Sequence, residues 1–195
     1  MPSNSLTDWR TTGLGRLTEL ENVHASVTPS GPGRKWGTNQ LNRSLTVALV
    51  AQFQKFCREL HDEAVAVHVA AASPNQGLLL RTLLTQGRKL DTMNPRSSAL
   101  GADFGRLGFS FIDDLKACGQ TTEIRLKRLD TFIDYRNAIG HGNEATITSL
   151  EASGQLSATK ASFVAHRRLL NALAGTMDTV VANKLASLLG IPRPW

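Results

Sequence analysis

The chain has 195 residues, 41% of them hydrophobic, with 22 Lys and Arg against 16 Asp and Glu and a net charge of +6. That is enough for one domain with a proper core, and the cationic excess is compatible with a polyanionic partner without demanding one. No run of about 20 apolar residues exists, so no membrane span is expected, and the N-terminal MPSNSLTDWRTTG lacks the apolar stretch of a signal peptide. Cys57 and Cys118 are the only cysteines; both sit in apolar helical patterns and read as reduced core thiols of a cytoplasmic protein. No Cys-x-x-Cys or His/Cys cluster suggests zinc, and no cofactor is expected. Few aromatics and abundant Ala and Leu favour helices over sheets, hence an all-α fold.

In chain order, residues 5–27 predict a first helix with Leu14, Leu17, Leu20 and Val23 as its apolar positions. It either docks on the main body, pairs with a second subunit, or orders on binding. Residues 28–37, TPSGPGRKWG, form a loop by their Pro and Gly content. Arg34 and Lys35 beside Trp36 could hold a phosphate and stack a base, or could be a solvated linker. Residues 1–37 are thus read as an N-terminal helix and basic loop, and 38–195 as the main helical domain.

A long helix is predicted from Thr38 to about Ala72, with Leu49, Phe53, Phe56, Leu60 and Val67 as its core stripe. Arg58 and His61 flank that stripe. They either line a site or are a surface arginine and a hydrogen-bonded, partly buried histidine. Ser73-Pro74-x-Gln76 reads as a helix start, with the helix running to about Leu90. Its inward residues would be Leu78, Leu79, Leu83 and Leu84, with Arg81 and Arg88 toward solvent. A further helix is predicted over 99–118. Its Gly101, Gly105 and Gly108 signal close helix approach or a kink. Asp113 and Asp114 lack spaced acidic partners and read as a solvated turn rather than a metal site.

After Gly119 comes the helix that carries the chemistry. Arg125, Lys127 and Arg128 lie near its start, against the helix dipole, and are either a phosphate track or a solvated face. Its end reads FIDYRNAIGHGN. Arg136 is spaced to share a side with Leu129, Phe132 and Ile133, where a guanidinium is uncommon unless it meets an anion, a carboxylate or a partner. Gly140 is expected to take positive φ and swing His141 back toward Arg136. That pairs a fixed cation with a group that trades protons near neutrality. The alternative is an arginine capping helix carbonyls and a histidine satisfied at a turn. Beyond it, Thr148-x-x-Glu151 reads as a capping box for a short helix, and about 157–189 as a last long helix stopped by Gly190 and Pro192. His166, Arg167 and Arg168 form a basic spot on it.

The R-N-x-x-x-H pattern of Arg136, Asn137 and His141 resembles the signature of the HEPN superfamily, all-helical domains of which many are metal-independent ribonucleases. LVAQFQKFCRELHDEAV (Leu49–Val65) and the segment around Asp103, Phe104 and Gly108 look like its RiboL-PSP-HEPN branch, found in bacterial conflict systems. The likeness covers roughly Val47 to Leu150. It implies an up-and-down helical bundle of the HEPN type, with extra N-terminal and C-terminal helices. It also implies a homodimer whose composite cleft cleaves RNA, acting as a toxin or antiphage effector, with an antitoxin or defence-system protein as a further partner. In such a site Arg136 would hold non-bridging phosphate oxygens, His141 would act as base or acid for 2′-hydroxyl attack, and Asn137 would donate to phosphate or orient His141. Arg58, His61, Tyr135, Arg34 and Lys35 are the further candidates to touch substrate. The alternative is a catalytically inactive HEPN module that binds RNA or a partner protein.

Overall fold

The computed structural model describes residues 1–27, 38–154 and 156–195, and among them every regular element is helical. The helices are α1 (Asn4–Asp8), a π-helical turn (Trp9–Gly13), α2 (Leu14–Val27), α3 (Thr38–Ala71) and α4 (Pro74–Thr85). They continue as α5 (Lys89–Thr92), α6 (Ser97–Gly105), α7 (Phe111–Ala117), α8 (Gln120–Gly140), α9 (Glu144–Ala152) and α10 (Lys160–Leu189). The all-helical expectation holds. No helix among the described residues is long and apolar enough to cross a membrane.

The 34-residue α3 is the central rod: α1, α2, α4, α8 and α10 all pack against it. Its stripe of Leu49, Phe53, Phe56 and Leu60 is fully buried, each side chain contributing roughly 1.5–3 kcal/mol of apolar burial. The N-terminal segment docks on this core. Trp9 packs on Phe53 and Phe56 and donates from Nε1 to Asn171 Oδ1 at 3.2 Å. The Glu63 carboxylate accepts from the Asn4 and Ser5 amides, both at 3.0 Å, at the electropositive start of α1. α2 buries the face of Leu17, Glu21 and His24, so Leu20 and Val23, expected inward, lie on its other face and are largely exposed.

Four further expectations are corrected. The helix predicted from Ser73 to Leu90 breaks at Gln86-Gly87-Arg88, where Gly87 takes φ 68°. The break turns Arg88 inward onto Asp62 (2.6 Å) and Asp91 (3.1 Å), where solvent was expected. Among the described residues α4 packs mainly against α3, so Leu84 is buried whereas Leu78, Leu79 and Leu83 face outward. The glycine-rich helix is two helices, parted at Gly108 (φ 94°). Close approach occurs as well: a Cβ on Gly101 would sit 3.0 Å from Ile112 Cγ1. Finally, Cys118 is exposed while Cys57 is buried.

Candidate functional site

The end of α8 sets the geometry. His141 is its C-cap, with φ −98° and ψ 1°, and the left-handed residue is Gly142 (φ 64°), not Gly140. The helix therefore runs one residue further than expected before reversing. The Gly142 amide donates to Ile139 O (3.2 Å) and the Asn143 amide to Ala138 O (2.9 Å), the two bonds of a Schellman closure. Asn143 is at once the N-cap of α9, its Oδ1 accepting from the Thr146 amide at 3.1 Å. Thr148 lies inside α9, so Asn143 supplants the predicted capping box. Arg43 on α3 grips Glu144 through both guanidinium nitrogens (2.6 and 2.9 Å), tying the start of α9 to the core.

Arg136, Asn137 and His141 share this last turn. The His141 amide donates to Asn137 O at 3.0 Å, and its side chain is exposed. Asn137 Oδ1 accepts from Asn94 Nδ2 at 2.6 Å and from Arg136 Nη1 at 3.4 Å. Those two bonds occupy the amide oxygen and leave Nδ2 as the donor for another acceptor. Arg136 Nη1 extends along the helix toward Gly140, where an added Cβ would stand 3.8 Å away. Arg136 is half-buried, and its Nε is buried with no hydrogen-bond partner among the described residues. No carboxylate pairs with it there either. A buried, unsatisfied donor on a cation costs on the order of 1–3 kcal/mol, which a bound anion would recover.

A cleft of about 360 Å³ opens between α8 and α9, lined by Asp134, Asn137, Ala138, His141, Asn143, Thr146 and Leu150. Asp134 is neutralised by Arg96 at 2.9 Å, so its charge does not stand alone against a phosphate. Asn94 and Arg96 belong to the break after α5, and sequence reasoning missed both. The Asn94-Pro95 pair marks an extended turn but says nothing of what it touches.

Asn137 and His141 line the cleft whereas Arg136 does not, and the remaining candidates also lie away from its lining. Tyr135 is buried and donates to Glu151 Oε1 on α9 at 2.6 Å; burial first, then that carboxylate, push its phenol well above its usual pKa. Arg58 is an exposed partner of Asp91 at 3.1 Å. His61 is fully buried, its Nε2 at 3.1 Å from Asp103 O and its Nδ1 at 3.3 Å from Arg88 Nη1. Burial, then the Arg88 charge, hold its pKa below the usual 6.5. Arg34 and Lys35 lie outside the described residues. Asp103 and Phe104, part of the family likeness, are core: Asp103 caps the Lys89 and Leu90 amides (2.9 and 2.7 Å), and Phe104 stacks on Phe111. Asp114 pairs with Lys184. His166, expected in a basic spot, is buried with its ring stacked on Phe132 at 4.3 Å. Among the described residues no group of three or more His, Cys, Asp or Glu could hold a metal ion.

Comparison with protein-family models, curated proteins and solved structures finds no match to this chain.

Proposed function

We propose that this chain is an endoribonuclease of the HEPN type, cleaving RNA by attack of a 2′-hydroxyl on the adjacent phosphorus. The observation that carries the reading is the last turn of α8. An asparagine with a free amide donor and an exposed histidine line one cleft, and in the same last turn an arginine carries a buried, unsatisfied N–H. In this reading Arg136 neutralises the non-bridging oxygens as negative charge builds on the phosphorane. Asn137 Nδ2 donates to the same group. His141 moves a proton: as base it takes one from the 2′-hydroxyl, as acid it gives one to the departing 5′-oxygen. The products are a 2′,3′-cyclic phosphate and a 5′-hydroxyl.

One histidine per cleft cannot easily do both jobs in a single turnover. A two-fold dimer would bring two copies of His141 and Arg136 together and divide the roles. The cytoplasm, a toxin or antiphage setting, and a cognate antitoxin or defence partner belong to this proposal. Its test is incubation of total RNA with the wild type and with His141→Ala, in EDTA. Metal-independent cutting that the substitution abolishes supports the reading; cutting unchanged in the mutant overturns it.

A second reading is favoured by one observation: among the described residues no acidic or hydroxyl side chain hydrogen-bonds the His141 ring, although Asp134 and Thr146 line the same cleft. Under it the module binds RNA or a protein without cutting, and wild-type protein retains oligonucleotides intact.

A further inference from the structure

Among the described residues the cleft at the end of α8 has a larger neighbour along the same helix. A groove of about 820 Å³ lies at its other half, between α8, the α9–α10 turn and the start of α10. Both are walled by one stripe of α8: Ile124, Arg128 and Thr131 in the groove, then Asp134, Ala138 and His141 in the cleft. These positions recur at three- and four-residue spacing, so they line a single helix face. From Ile124 to His141 the stripe runs about 26 Å at 1.5 Å per residue. The opposite wall is continuous too: α9 gives Thr146 and Leu150 to the cleft and Glu151 to the groove.

The groove has its own chemistry. Arg128 is exposed with no ion pair among the described residues, and Lys127 beside it is exposed and shared only with Glu123 at 2.8 Å. The floor is apolar, with Ile124 and Leu169 open to it. His166 lines it as well. Its Nδ1 lies 2.7 Å from Ser162 O, which can only accept, so Nδ1 carries the proton and Nε2 remains an acceptor. Burial, and secondly the nearby Arg128 charge, lower the pKa of this imidazole. Cations at the rim, an apolar floor and one buried acceptor suit a nucleotide: phosphate on Arg128 and Lys127, base or ribose against Ile124, Leu169 and His166.

We infer that the groove is a second subsite for single-stranded RNA, holding a stretch of the same strand whose scissile phosphate sits at Asn137 and His141. The inference rests on reading the cleft as RNA-binding. It adds that the strand lies along the Ile124–His141 face of α8.

The test is binding rather than cutting. Affinity of the full chain for a fluorescent 2′-O-methyl oligoribonucleotide of about 8 nucleotides, which offers no attacking hydroxyl, is measured against salt. Arg128→Ala is compared with Arg81→Ala, which removes one exposed cation from α4 on another part of the surface. The expected result is about tenfold weaker binding for Arg128→Ala and a salt slope smaller by roughly 0.7, the value of one single-strand phosphate contact. Arg81→Ala should move neither. Equal behaviour of the two variants overturns the subsite and leaves the cleavage assay with His141→Ala to judge the nuclease separately. No oligonucleotide binding by wild type, or displacement of RNA by polyglutamate as readily as by RNA, also overturns it. Arg128-dependent binding by a wild type that never cuts supports the groove and sinks the nuclease.

Discussion

Two arginine–histidine couples in this molecule make opposite use of the same side chains. At the foot of α5, Arg88 and His61 are buried and fully engaged: Arg88 meets Asp62, Asp91 and the His61 ring, while His61 reaches Asp103 O. At the end of α8, Arg136 keeps an unsatisfied buried N–H and no carboxylate, and His141 stands exposed. The first couple closes a helix break and is spent on stability. The second leaves the Asn137 amide donor and the His141 ring at a cleft, with Arg136 uncommitted in the same turn, the condition under which such groups can act on a ligand.

Substitutions separate the two. The largest expected effect is on His141→Ala, which should lower RNA cleavage by about a thousandfold, within the span of general acid–base catalysis, with an unchanged melting temperature. A simultaneous fall in melting temperature would assign His141 to the fold. Next is Arg88→Met, which strands Asp62 and the His61 ring while Asp91 keeps Arg58. Because Asp62 is half exposed, the cost is about 2–3 kcal/mol, less than for a wholly buried pair, and Tm should drop by roughly 6 °C with cleavage otherwise retained. Arg136→Met reverses that pattern. Cleavage should fall about a hundredfold, while stability holds or rises because no partner is orphaned and a buried unsatisfied donor is removed. Equal destabilisation by the two methionine variants, measured by thermal melts, would erase the contrast drawn here.

The smallest effect is on pH dependence. Asp62, Arg88 and Asp103 face His61, and burial is the main reason its folded pKa lies below 6.5. As pH falls below 6.5 the unfolded imidazole takes a proton that the folded one refuses, so stability is lost on acidification through that window. Buried His166 adds to the same trend. Melting should therefore come earlier at about pH 5 than at about pH 7.5, and His61→Gln should flatten the difference. An unaltered profile in that variant would remove His61 as a cause.

How much was legible in advance varied with the kind of signal. α3, α8 and α10 were readable within a few residues, because each carries a long apolar stripe at helical spacing. The junctions were not. Thr148 and Glu151 matched a capping box, yet Asn143 caps α9, because the Schellman closure at Gly142 delivers Asn143 to that place. Leu78, Leu79 and Leu83 looked inward because periodicity tells a helix's faces apart but not how many neighbours it has.

At the candidate site, the type and order of Arg136, Asn137 and His141 were plain from the chain, as was their place at a helix end. Their surroundings were not. That Asn94 occupies the Asn137 carbonyl, that Arg96 silences Asp134, and that Arg58 and Tyr135 are committed elsewhere depends on contacts between residues far apart in sequence.

The sequence alone determined that this protein is helical and that a cation, an amide and an imidazole lie within one turn of each other, because helix periodicity is a local property of spacing. Only the tertiary structure decided which polar groups are satisfied and which stay open. Satisfaction depends on partners that distant segments bring or withhold, and here they close around His61 and leave the Arg136 Nε–H without a partner among the described residues.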